Sequence, residues 1–148
     1  MSPHATPAPQ LVDAGLRQAH WVELPTSRAN VKIVRRIVGE RLRSWHVSEE
    51  VCDDALLLTS ELVTNVVIHA RGTRFLCGFG LVADGRLRIE VHDQGSVRGG
   101  PIRRSAGPDC ESGRGLYLVQ ELAADWGTVP SARTGGNMVW ATLRTAAF

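Results

Sequence analysis

Two side chains able to do chemistry stand four residues apart in a leucine- and valine-rich stretch. They are Glu61 and Asn65, within LLLTSELVTNVVIHA, residues 56–70. A helix advances about 100° per residue, so positions i and i+4 share a face and the carboxylate and carboxamide lie close together. Polar groups flanked by leucines lose water on folding, which is costly unless something satisfies them. A carboxylate beside an amide suits a hydrated hard cation such as Mg²⁺. It equally suits the positioning of a water or hydroxyl whose proton the carboxylate takes. The same pair also fits a capping or inter-helix hydrogen bond, and for the pair taken alone that structural role is the commoner one.

Two further stretches bear on the reading. Asp93-Gln94-Gly95 ends an alternating run, and Glu111-Ser112-Gly113-Arg114-Gly115-Leu116 leads straight into a helical apolar pattern. Glycines at a helix start let the backbone approach a ligand, and the unpaired N–H groups and the helix dipole there favour phosphate. As a bare motif, GxG before a helix is weak, because many such turns are only tight turns. Between the two stretches, residues 96–112 read as a loop with Arg98, Arg103 and Arg104. A loop of that length inside a compact domain is often functional, as a lid is.

The elements that must position these residues follow from periodicity. Ala19 to Pro25 reads as a short strand suited to a sheet edge. Thr26 or Ser27 can cap a helix running to about Ser44, with Val31, Val34, Ile37, Val38, Leu42 and Trp45 as its apolar stripe. Arg28, Lys32, Arg35, Arg36 and Arg43 fall on its other side. That is ordinarily a solvated face, and its sharper reading is a docking surface for an acidic partner. Ser48 caps a second helix that runs to about Ala70 and ends at Arg71-Gly72. On it Val51, Ala55, Leu58, Leu62 and Val66 form one ridge, Leu57 and Ile68 flank a second, and Asp53, Ser60 and Thr64 mark the solvated side. Thr73 to Ala83 and Arg86 to Asp93 are predicted strands joined by an Asp84-Gly85 hairpin, hence antiparallel neighbours. A helical stripe of Leu116, Val119, Leu122, Ala123 and Trp126 follows. Two last strands, Thr128 to Pro130 and Asn137 to Leu143, flank a turn around Thr134-Gly135-Gly136. This order predicts an α+β two-layer sandwich, its helices packed on one face of a mixed or antiparallel sheet.

Composition bounds the rest. The chain has 148 residues, 43% of them apolar, and a formal charge of +2. That length suits one domain with a sizeable core, and that charge makes no case for nucleic acid. Cys52, Cys77 and Cys110 are odd in number and show no CxxC spacing. The opening MSPHATPAPQ lacks the layout of a secretory signal, so a reducing, cytoplasmic setting is expected. No apolar run reaches the roughly 18 residues that span a bilayer. Residues 1–17 are expected to be a flexible tail, with 18–148 as the folded unit.

In combination these stretches resemble one family. Glu61 to Asn65 (ELVTN), followed by His69-Ala70, is similar to the N box of the GHKL ATP-binding superfamily, which includes histidine kinases, gyrase-type ATPases, Hsp90 and MutL. Asp93-Gln94-Gly95 resembles its first glycine box, and Gly113-Arg114-Gly115-Leu116 its second. The length, the short inter-box segment and the phrase ESGRGLYLVQELAADWG are most similar to actinobacterial anti-sigma-factor serine/threonine kinases. The resemblance covers about residues 20–145.

The resemblance implies the Bergerat ATP-binding fold for residues 18–148, with ATP and Mg²⁺ as cofactors. It implies that Asn65 holds the Mg²⁺ that bridges the phosphates, and that Glu61 is the general base. Asp93 would accept from the adenine amino group, and Gly95 would let the chain pass beneath the ring. Gly113 and Gly115 would cradle phosphates, with Arg114 as a phosphate contact. His69 could line the pocket or be a satisfied structural histidine. The implied function is phosphorylation of a STAS-domain anti-anti-sigma protein, sequestration of a sigma factor, or both. Implied too are no direct contact with nucleic acid or membrane, and compatibility with a homodimer.

Two departures temper this. Ser96 and Val97 stand where the first box usually continues to a second glycine. Asn137 and Met138 occupy the neighbourhood where the family often has a threonine near adenine. They motivate an alternative: a catalytically silent module whose nucleotide only shapes a surface for a sigma factor or another regulator. A plain ATPase of a larger machine is disfavoured by the missing transducer domain. A histidine kinase core is disfavoured because no acceptor-histidine helix precedes Trp21.

Overall fold

The computed structural model describes residues 18–69, 72–82, 85–94 and 118–145. The tail expected at 1–17, Asp84 of the hairpin and everything from 95 to 117 lie outside the described residues. The described elements are β1 (Gln18–Pro25), α1 (Ala29–Ser44), α2 (Glu49–His69), β2 (Arg74–Leu81), β3 (Arg86–Asp93), β4 (Asp125–Pro130) and β5 (Asn137–Arg144). Residues 118–122 are helical. The strands form one sheet in the order β1-β2-β3-β5-β4, and each adjacent pair is antiparallel. The fold is therefore α+β, and the pairing open between mixed and antiparallel is antiparallel among the described residues. No helix there is long and apolar enough to cross a membrane.

Strand alternation sorts side chains onto two faces. Val22, Cys77, Val91, Val139 and Thr128 stand in one row across the sheet. Three of them, Cys77, Val91 and Val139, are fully buried in the core together with Val34, Val38 and Leu42 of α1 and Leu58, Leu62 and Val66 of α2. The helices thus cover this face, with α2 against β3 and β5. The adjacent row, Trp21, Gly78, Glu90, Trp140 and Gly127, faces the other way. A Cβ on Gly78 would sit 2.3 Å from the Trp21 ring, so glycine here lets the indole lie flat across β2. Cys52 and Cys77 are free and buried, and burial pushes the Cys77 thiol up to about 12.

Local chemistry sets the helix ends. Ser48 Oγ accepts from Val51 N at 3.3 Å and starts α2 as expected, with Glu49 and Glu50 at the positive end of its dipole. Ser27 Oγ accepts from Ala29 N at 3.2 Å before α1. That helix stops in a Schellman arrangement. Val47 N donates to Leu42 O and His46 N to Arg43 O, both at 3.0 Å, with His46 at φ 65°.

Two expectations are corrected. Leu57 and Ile68 are not a buried ridge: at 41% and 38% exposure they lie on the outer side of α2. Ser60 and Thr64 are half-buried instead. The reason is geometric, since the stripe through Leu58, Leu62 and Val66 fills the sheet contact and leaves the positions beside it uncovered among the described residues. Trp126 is not helical. The helix ends at Leu122, Ala124 N donates to Thr142 O at 2.8 Å, and Trp126 pairs with Ala141 in β4. Ladder hydrogen bonds to β5 win over a continuing helical spacing.

Candidate functional site

Helix α2 carries Glu61 and Asn65 with different surroundings. Asn65 is buried, at 6% exposure, and its amide oxygen Oδ1 has no hydrogen-bond partner among the described residues. One turn on, His69 Nε2 is also buried and unpartnered there. Such groups are costly to leave unmade, so each calls for a partner beyond the described residues. Glu61 is half-buried, and desolvation raises its carboxyl above the ordinary value of 4.5. A raised carboxyl is a better proton acceptor when ionised, which is what a general base requires.

Asp93 ends β3. It pairs in register with Phe75 of the core, so its side chain faces the helix layer, the same side of the sheet as α2. It is 3% exposed, and Asn137 N donates to its Oδ1 at 3.0 Å. A carboxylate has two oxygens, so one bond from Asn137 N leaves further acceptor capacity on this group. Thr134 Oγ1 donates to the Asp93 carbonyl at 2.6 Å and accepts from Gly136 N at 3.1 Å. The neighbouring Gln94 is structural: its Oε1 accepts from Thr73 N at 2.6 Å and Arg74 N at 2.9 Å, tying the end of β3 to the start of β2. A Cβ on Gly72 would lie 2.4 Å from that oxygen.

Of the expected site residues, Glu61, Asn65 and Asp93 are described, and all three belong to the helix-facing layer or its covering helix. Gly95, Gly113, Arg114 and Gly115 lie outside the described residues, as do Ser96, Val97 and the arginine-rich segment. The Asn137 and Met138 departures now have a geometry. Met138 belongs with His92 in a row on the sheet face opposite Asp93, whereas Asn137 meets the carboxylate through its backbone N–H. A backbone donor leaves no trace in residue type, so sequence reasoning could not have found it. Thr134 carried a signal that was read only as a turn.

The residues present fit a Mg²⁺ bound with phosphates. Asn65 Oδ1 is a neutral oxygen ligand of the right hardness. No three His, Cys, Asp or Glu side chains gather as a metal cage among the described residues. A cation at Asn65 would draw the remainder of its shell from phosphate and water.

Comparison with known proteins gives three findings. No curated protein matches the chain. Among matching solved structures is that of the RsbU and RsbW domains of Rv1364c from Mycobacterium tuberculosis, with TM-score 0.65 and 21% identity. It is matched over 86% of this chain but only 32% of that one, so this chain spans about a third of its length and the likeness is one of fold. Residues 24–143 match the histidine kinase-like ATPase domain. That stretch runs from β1 to β5 and contains the Glu61/Asn65 helix and the Asp93 strand end, so the chain belongs to the histidine kinase-like ATPase domain family, whose ligand is ATP.

Proposed function

We propose that this protein is an ATP-dependent serine/threonine kinase of the anti-sigma-factor type, acting on a STAS-domain acceptor and able to hold a sigma factor. The observation that carries the reading is the Glu61/Asn65 pair: a buried amide oxygen without a partner among the described residues, one turn from a carboxyl made more basic by desolvation. Membership of the ATPase family supplies the nucleotide. The RsbW domain named in the similar structure supports the anti-sigma assignment.

Asp93 holds the adenine amino group through its carboxylate and so selects the base. Gly95 lets the chain run beneath the ring, and Gly113, Arg114 and Gly115 take the phosphates. Asn65 holds Mg²⁺, which when bound neutralises charge on the phosphate oxygens. Glu61 accepts the proton of the acceptor hydroxyl as that oxygen bonds to the γ-phosphorus; the bond to the bridging oxygen breaks and ADP leaves with its electron pair. The acceptor is on another protein, in the cytoplasm.

The test is transfer of labelled γ-phosphate to a cognate STAS-domain protein. Glu61→Ala should abolish transfer, a loss of about 10²-fold or more, with ATP affinity kept. Asn65→Ala should lose Mg²⁺-dependent ATP binding in calorimetry. Tight ATP binding by the wild type with no transfer to any acceptor would instead make the chain a silent nucleotide-loaded module. Partner capture would then survive Glu61→Ala unchanged.

A further inference from the structure

The face of the sheet turned away from the helices carries a buried polar chain that the reaction above does not use. Arg88 Nε donates to Glu90 Oε2 at 2.8 Å, and His92 Nε2 lies 2.8 Å from Glu90 Oε1. His92 Nδ1 lies 2.6 Å from Ser131 Oγ. Arg88, Glu90 and His92 are at most 3% exposed, and Ser131 is 5% exposed. Trp21 leans on the His92 ring at 5.7 Å between centroids, and Arg133 covers Trp21 at 4.2 Å.

Ser131 is the hinge of this chain. Its Oγ accepts from Arg133 N at 3.1 Å and Thr134 N at 3.0 Å. A hydroxyl has two lone pairs and one proton. Both lone pairs are taken by backbone N–H groups, so the proton is directed at His92 Nδ1. That nitrogen is then an acceptor, and the imidazole proton sits on Nε2, where it donates to Glu90. The turn that Ser131 ties is the one that holds Asp93. Ser131 N donates to Gly136 O at 2.8 Å, Thr134 Oγ1 donates to the Asp93 carbonyl, and Asn137 N holds Asp93 Oδ1. His92 and Asp93 are consecutive on β3 and face opposite sides of the sheet, so the turn grips the strand end from both faces.

We propose that Ser131, locked by His92, is a positioning residue for base recognition: it fixes the turn whose Thr134 and Asn137 orient the Asp93 carboxylate, and thereby sets the preference for adenine over guanine. The inference rests on Asp93 as the adenine acceptor. Adenine presents an amino group to a carboxylate where guanine presents a carbonyl, so a rotated carboxylate loses discrimination before it loses affinity for the triphosphate. Ser131 Oγ meets His92 on the sheet face away from the Asp93 side chain, so it acts through Asp93.

Calorimetric Kd values for ATP, GTP and inorganic tripolyphosphate, each with Mg²⁺, test it. Ser131→Ala is expected to lower the ATP/GTP discrimination about tenfold, with tripolyphosphate affinity unchanged. Ser131→Thr, which keeps the hydroxyl, is expected to restore it. Should Ser131→Ala fold poorly, Thr134→Val removes the donor to the Asp93 carbonyl with little change of shape, and the same loss is expected. Unchanged discrimination in a folded variant, or equal weakening of all three ligands, overturns the inference while Asp93 keeps its role. A wild type that binds ATP and GTP alike instead removes the adenine reading of Asp93, and this inference with it.

Discussion

Burial holds the Glu61 carboxyl above its ordinary value of 4.5, and the sign of that shift has a consequence for folding. Below 4.5 the native and unfolded chains both carry a neutral Glu61, and its burial costs nothing. As pH rises through the raised native value, the folded chain must hold a partly desolvated charge that the unfolded chain gives to water, so stability is lost. Glu61→Gln removes that charge at similar shape. Urea unfolding should find the variant more stable than wild type at pH 7, with the advantage fading below pH 4.5. An advantage equal at both pH values would mean that the carboxyl is not strained by its site. At the residue scale, the burial of Asn65 and the half-burial of Glu61 follow from their place among leucines, whereas Asp93 drew notice only through the family resemblance. The site was illegible where the backbone does the work, as with the Asn137 N–H on Asp93 Oδ1 and the paired N–H groups of Thr73 and Arg74 on Gln94.

Elements were read from periodicity, and periodicity succeeds where a single face is buried. In α1, Val34, Val38 and Leu42 are buried as their spacing requires, while Lys32, Arg35 and Arg36 are exposed. The connection from α1 to α2 contains a weakness no pattern announces. His46 occupies the left-handed position of a Schellman turn, at φ 65°, and its side chain is exposed. A side chain there costs roughly 1–2 kcal/mol relative to the right-handed region, and glycine removes most of that penalty. His46→Gly should therefore stabilise the protein by about 1 kcal/mol, offset slightly by the greater freedom of glycine when unfolded. Thermal and denaturant unfolding would read this as a higher midpoint at unchanged m-value. A lower midpoint would mean that His46 makes a stabilising contact outweighing its backbone cost. Periodicity misled at Trp126 because i+3 spacing persists by coincidence from Leu122 and Ala123 into a stretch that β5 claims as a strand. It misled at Leu57 and Ile68 because apolar character alone does not say which side of a helix the sheet covers.

At the scale of the molecule, element order and the β2–β3 pairing followed from the chain, but the full strand order and a second buried layer did not. Alternation in β3 puts Arg88, Glu90 and His92 on the face opposite Leu87, Ile89 and Val91, and all three are buried beside Trp21 and Trp140. Burial of charge is normally costly, and pairing across the face offsets it here. Burial by itself raises the Glu90 carboxyl, but hydrogen bonds from His92 and Arg88, with the Arg88 charge, outweigh it and leave the group below its ordinary value of 4.5. A depressed carboxyl contributes stability that is present above 4.5 and lost as pH falls through the lower native value. Glu90→Gln removes the charge that compensates a guanidinium only 3% exposed, and should cost about 3 kcal/mol at pH 7. That deficit should narrow in acid, where the wild-type carboxylate itself becomes protonated. Replacing the pair together, Arg88→Met with Glu90→Leu, should cost less than Glu90→Gln alone, because no buried charge is then left without its partner. Denaturant titrations of the three chains at pH 7 and pH 4 decide the matter. A Glu90→Gln protein as stable as wild type at pH 7, or a double variant worse than the single one, would show that the ionic chain does not hold this face of the sheet together.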